Sequence, residues 1–126
     1  KFDTIIMDGE AGLEQINRQV VEKINTLILV TDSSYRGVQT VHHIEGLVKN
    51  GAVPYCESVG VVFNRVQGDN RTLEELQALV GLPVLGVIPY DPTLQAFDAQ
   101  GKSLLDLPDD TTALRCVDDV INKVFE

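Results

Sequence analysis

Four short polar stretches in this chain each follow an apolar run, and each carries side chains able to do chemistry. They are Asp8-Gly9-Glu10-Ala11-Gly12, Thr31-Asp32-Ser33-Ser34, Asn64-Arg65 and Pro89-Tyr90-Asp91-Pro92. The first reads D-x-x-x-G. A carboxylate at the end of a buried strand can hold a Mg²⁺-bound water, and a glycine four residues on lets a backbone N–H approach a γ-phosphate. A segment that touches that phosphate in one state and releases it in the other is a nucleotide switch. In isolation the same pattern also occurs in plain turns. The carboxamide of Asn64 can pair bidentately with the N6/N7 edge of adenine, or it can cap its own turn. A guanine reader would carry N-K-x-D here, whereas the chain reads Asn64-Arg65-Val66-Gln67. The carboxylate that would select guanine is missing, so adenine is the base that fits.

The elements that must position these stretches follow from periodicity. Thr4–Met7, Thr26–Val30, Ser58–Phe63 and the run "VLGVI" after Pro83 are apolar without alternation, as strands covered on both faces are. Between them lie helical patterns. One runs from about Leu13 to Lys23 with Leu13, Ile16, Val20 and Ile24 on a stripe, and one from about Gly37 to Lys49 with Val41, Ile44 and Val48, stopped by Gly51. A third opens with Thr72 as N-cap and Glu75 closing a capping box, and stops at Gly81. Thr93–Ala99 is a short helix. The last helix is expected to be capped by Asp109 or Asp110 and to bury Leu114, Val117, Ile121 and Val124. Strands alternating with helices predict an α/β fold: a Rossmann-like, mostly parallel sheet flanked by helices on both faces. Ligands of such sheets sit outside the strands' carboxyl ends, where the four polar stretches converge.

Composition narrows the partners. With 126 residues and 44% hydrophobic content, a single domain spanning residues 1–126 with a real core is expected. Ten basic residues face nineteen acidic ones, a net charge of −9, and Lys and Arg are scattered singly. Such a field argues against nucleic acid and anionic membranes as partners, and the longest apolar runs are strand-sized. Cys56 and Cys116 form no C-x-C or C-x-x-C, which speaks against a disulfide framework or a self-contained zinc site and for the cytoplasm. Both read as small apolar residues. His42 and His43 carry imidazoles that suit nickel. Adjacent helix positions point about 100° apart, however, so the two rings do not converge on one ion.

Together, "IIMDGEAG", "LILVTDSSYRG", "GVVFNRV" and "LGVIPYDPTLQAF" resemble, in order, the MinD/ParA/nitrogenase-iron-protein class of deviant P-loop ATPases. Within it, "MDGEAGLEQINR" and "VTDSSYRGVQT" are most similar to the CooC type, nickel-insertion ATPases that mature carbon monoxide dehydrogenase and related nickel enzymes. The resemblance implies ATP or ADP with Mg²⁺ as cofactors, a homodimer closing over nucleotide, nickel as cargo and a nickel-enzyme client. It implies that Asp8 contacts Mg²⁺ through water, that Gly12 lies near the γ-phosphate, that Asn64 reads adenine, and that Pro89, Asp91 and Gln95 belong to a loop wrapping the base. Under it, Glu10 orients water or carries the switch signal, or is a solvated loop carboxylate. Asp32 caps the following helix or joins the dimer face, and Arg36 and Arg65 are candidate nucleotide or dimer contacts.

The departures from the class are as informative. Its glycine-rich phosphate loop, G-K-G-G-x-G-K-[ST], whose N–H groups and lysine cradle phosphates, is not found in these 126 residues. In the class that loop and its strand precede the D-x-x-x-G strand. The chain is therefore expected to be the C-terminal half of a longer ATPase, inactive in hydrolysis on its own and with apolar sheet surface left bare. No cysteine lies between Leu13 and Lys23, against an iron–sulfur reductase, and the tail "RCVDDVINKVFE" is not the basic membrane helix of MinD. The alternatives are another MinD/ParA-like ATPase, a non-catalytic binding or regulatory module, and a receiver domain with Asp8 or Asp32 as phosphoacceptor. Against the last, the later strand ends are Asn64 and Pro89 rather than Thr/Ser and Lys.

Overall fold

The structure, a computed structural model, describes residues 1–9 and 23–126. At its centre is a three-stranded parallel sheet of β1 (Lys23–Thr31), β2 (Tyr55–Val66) and β3 (Val84–Pro89), in that spatial order. Parallel neighbours require crossovers. α1 (Tyr35–Lys49) leads from β1 to β2, and α2 (Leu73–Val80) from β2 to β3. α3 (Pro92–Ala99), a 3₁₀ turn at Leu104–Asp106 and α4 (Thr112–Phe125) complete the described chain.

The period-two alternation of β2 sorts its side chains to two faces. Val61 and Phe63, both fully buried, join Leu29 of β1 and Val84 of β3 against Val38, Val41 and Ile44 of α1 and Leu76 and Val80 of α2. On the other face Val62 is buried and pairs with Gly86, where α4 lies close. A Cβ on Gly86 would come within 2.5 Å of a Val120 methyl, so glycine is what admits the helix to this distance. Helices thus cover both faces, as predicted, but unevenly. Ile28 and Val30, opposite Gly60 and Val62 in the register, remain 37% and 64% exposed.

Local signals place most ends. Ser34 Oγ accepts the Gly37 N–H at 3.0 Å and caps α1, whose first residue, Tyr35, is two residues before the predicted start. Thr72 and Glu75 form the predicted capping box, and α2 ends on Gly81 at φ 67°, a left-handed position that glycine takes without a Cβ penalty.

Two expectations need correction, and a third lies almost wholly outside the described residues. Thr4–Met7 is not a strand: it pairs with no described strand, and Ile5 and Ile6 are 75% and 83% exposed. A segment of four residues, three of them apolar, has no helical ladder of its own and becomes a strand only beside a partner. The predicted Leu13–Lys23 helix lies outside the described residues except for Lys23, which opens β1 instead. In α4, Ala113 and Val120 are buried while Val117 and Ile121 are 38% and 44% exposed. The Gly86–Val120 contact fixes how the helix is rolled, and that roll overrides the stripe read from hydrophobicity.

Candidate functional site

The carboxyl end of β2 is irregular. Phe63 lies opposite Val87, but Val66 lies opposite Pro89, so three steps on β2 match two on β3. The extra residue bends the strand, and Arg65 takes φ 54°, the only non-glycine residue with positive φ among those described. Such bulges re-aim side chains at strand ends, and here the result is a half-buried Asn64 beside the β3 terminus. Asn64 Oδ1 accepts the Arg65 N–H at 3.0 Å, so it does cap its own turn. Its NH₂ group is a donor that this bond leaves free to act. Tyr90 N–H donates to the Val66 carbonyl at 2.9 Å, which ties the Pro89–Tyr90 end to the bulge. Asn64 and Pro89 therefore belong to two chain ends that are joined through Val66.

Asp91 has a scaffolding part that the sequence did not disclose. Its Oδ1 accepts the Thr93 N–H at 2.9 Å as N-cap of α3, while Oδ2 accepts the Ala113 N–H at 3.1 Å in the first turn of α4. This second bond takes the place of the expected Asp109 or Asp110 cap, since the N-cap residue Thr111 makes no side-chain cap bond. The Ala113 N–H, with those of Thr93 and Leu94, holds the carboxyl below its ordinary value. One carboxylate thus fixes two helix starts, and the loop they frame is what the site presents. Gln95 is exposed on α3, its N–H bonded to the Asp91 carbonyl at 3.1 Å.

Beside this lies an open cleft of about 400 Å³ between the loop after β1 and the loop after β2. On its β1 side, Asp32 Oδ1 accepts both the hydroxyl and the N–H of Ser34, and these bonds, hydroxyl first, lower its pKa. Asp32 thus steadies the helix cap, and Ser34 is the cap itself. On the β2 side, Arg71 forks onto Asp69, with Nη2 at 2.6 Å from Oδ2 and Nε at 3.0 Å from Oδ1. The same Nη2 donates to the Ser33 carbonyl at 2.7 Å and so joins the two loops. Arg71 holds the Asp69 carboxyl far below the usual range. The brace was missed in the sequence. Its signal is the opposite-charge pair Asp69 and Arg71, two residues apart and directly ahead of the Thr72 cap.

The remaining sequence candidates scatter. Asp8 lies in the exposed Lys1–Gly9 segment, in no helix or strand, and Glu10 and Gly12 fall outside the described residues. Arg36 is exposed in the first turn of α1 and Arg65 lines the cleft. His42 Nε2 pairs with the Leu79 carbonyl at 3.0 Å and links α1 to the end of α2, while His43 is exposed. Cys56 and Cys116 are partly buried, and burial raises both thiols. Among the described residues, no three His, Cys, Asp or Glu side chains gather as metal ligands, and no helix is long and apolar enough to cross a membrane.

A parallel sheet with helices on both faces and polar loops joined at the carboxyl ends defines a nucleotide-binding type of α/β domain. The chain belongs to the CobQ/CobB/MinD/ParA nucleotide binding domain family (CbiA), which it matches over residues 7–105. It is 28% identical over 98% of its length to an uncharacterized ATP-binding protein of Methanocaldococcus jannaschii, covering 49% of that protein. It is 30% identical over 83% of its length to the carbon monoxide dehydrogenase accessory protein CooC of Rhodospirillum rubrum, covering 39% of it. The chain thus spans about half the length, or less, of these relatives. The fold is shared with the septum site-determining protein MinD of Pyrococcus horikoshii, solved with Mg-ADP, at a TM-score of 0.63 and 19% identity, covering 79% of this chain and 41% of that one.

Proposed function

We propose that this chain forms the base-binding and switch part of an ATP-dependent metallochaperone, and that the adenine lies at the bulged end of β2. The observation that carries the reading is the joined pair of chain ends, with Asn64 two residues before the Val66–Pro89 pairing. Carboxamide and backbone groups fit the neutral, planar edge of a purine, and the proline offers a flat apolar face. Asp91 stiffens the loop that carries Pro89, so the base meets a formed surface rather than one that must be ordered on binding. Gln95, one turn into α3, is placed to contribute from the same loop.

The fit for Mg²⁺ is narrower. Asp8 is exposed, and none of the hydrogen bonds among the described residues engages its carboxylate, which suits an outer contact through water. The ion, when bound, would neutralise phosphate charge. Gly12 is its partner in the D-x-x-x-G reading. In the longer protein, residues 1–126 would serve as one domain, in the cytoplasm, within a homodimer that couples ATP hydrolysis to nickel delivery. Support for nickel and a nickel-enzyme client is the likeness to CooC, with Asp8 and Gly12 in a stretch that carries it and Asn64, Pro89, Asp91 and Gln95 in stretches that carry the likeness to the wider class. The glycine-rich lysine loop needed for hydrolysis would come from outside these residues.

The base reading is tested by titrating ADP against the protein at its natural length, as parent and as Asn64→Ala. Loss of a bidentate purine contact is expected to weaken ADP about tenfold. Equal affinity in the two proteins would overturn the adenine assignment. Cargo is a separate measurement: nickel bound in equilibrium dialysis, with and without ATP, is expected to change with nucleotide, and a nickel content indifferent to ATP would overturn the chaperone part.

A further inference from the structure

The cleft between the loops after β1 and β2 opens at the carboxyl ends of the strands, and its lining includes none of Asn64, Pro89, Asp91 and Gln95. We infer that it receives the ribose of the nucleotide, with Asp32 accepting from the sugar's vicinal hydroxyls. The inference rests on the adenine reading above, since the cleft shares Arg65 and Gln67 with the loop that starts at Asn64.

The charges of the lining indicate what class of group would fit. Asp69 is matched by Arg71 in a forked ion pair, and Arg65 stands near enough to Asp32 to lower its pKa. With opposite charges matched across the cleft, no excess of positive charge awaits a phosphate. The lining is also mostly polar, with Gln67 and Asn70 on one wall and Ser33 and Ser34 on the other, so it is a poor seat for an aromatic base. Hydroxyl groups that both donate and accept suit such a lining. Asp32 engages Ser34 through Oδ1 alone, which leaves its second oxygen as an acceptor of the charged kind that binds a hydroxyl most strongly. The distance across the cleft is not left to loop motion. Arg71 spans it, reaching the Ser33 carbonyl from the β2 side, so the walls are held at a set separation before any ligand arrives.

The test compares ADP with 2′-deoxy-ADP and 3′-deoxy-ADP on the protein at its natural length. The parent is expected to bind ADP about tenfold more tightly than at least one deoxy form. Asp32→Asn, which keeps an Oδ1 for Ser34, and Asp32→Ala are both expected to erase that preference. A preference that survives both substitutions, or a parent with no preference, overturns the ribose assignment. Asn64→Ala separates the two readings: if it weakens ADP while the ribose preference depends on nothing at Asp32, only the cleft assignment falls. If Asn64→Ala changes nothing, the base assignment falls first.

Discussion

The joined ends of β2 and β3 and the Lys1–Gly9 segment start from the same kind of sequence, an apolar run closed by a polar turn with an aspartate. They end in opposite states. "VLGVIPYD" becomes a strand followed by an aspartate that caps two helices, and Val84 at its start is 7% exposed. "FDTIIMD" becomes no strand among the described residues, and Phe2 is 84% exposed. Composition does not separate them. What separates them is a neighbour: β3 lies on β2, whose edge it satisfies, and α4 covers its second face. An apolar tetrapeptide is a strand only in company, because half of its hydrogen bonds belong to the adjacent chain.

The comparison can be broken most forcefully at the centre of the sheet. Phe63→Ala empties a fully buried position and is expected to cost about 3–5 kcal/mol, read from chemical denaturation. A loss below about 1 kcal/mol would mean that β2 is not the core strand it is described to be. Next comes the fit of α4. Gly86→Ala places a methyl against Val120 and is expected to cost about 1–3 kcal/mol. The pair Gly86→Ala with Val120→Ala should recover part of that loss, and strict additivity in the cycle would show that the two do not touch.

A smaller effect is expected at Asp91. Its folded pKa is depressed, so the stability it contributes is present above its ordinary value of 3.8 and is lost as pH falls through the lower folded value. Asp91→Ala should lower Tm by a few degrees at neutral pH, and the gap to the parent should close in acid. A gap independent of pH would show that the carboxylate's charge is not what joins α3 to α4. The smallest effect belongs to the other member of the comparison. Ile5→Ala is expected to change stability by no more than about 0.5 kcal/mol, as exposed positions do. A cost like that of Phe63→Ala would show the segment packed in solution.

Much of the fold was legible because its signals are local. Thr72 and Glu75 mark a helix start through their own hydrogen bonds, Gly81 marks its end through its backbone, and the unbroken apolar runs of β1, β2 and β3 state that both faces are to be covered. The candidate site was legible only in part. Asn64 and Pro89 could be named from their places at strand ends, and family membership over residues 7–105 agrees with a nucleotide domain. Asp91 was named as well, but not its two capping bonds, because one of its partners, Ala113, lies twenty-two residues away.

What the sequence by itself determined, then, is the order of elements, the helix caps and the set of polar residues delivered to the carboxyl edge, since each depends on neighbours within a few residues. Tertiary structure alone decided the rest. It chose which stripe of α4 is buried, through a contact between Gly86 and Val120 that no periodicity contains. It bulged β2 at Arg65 so that Val66 pairs with Pro89 and Asn64 stands at the joined end, and it carried Arg71 across a cleft to Ser33. Each of these is a meeting of residues distant in the chain, fixed by register and close approach, and such meetings exist only once the sheet is assembled.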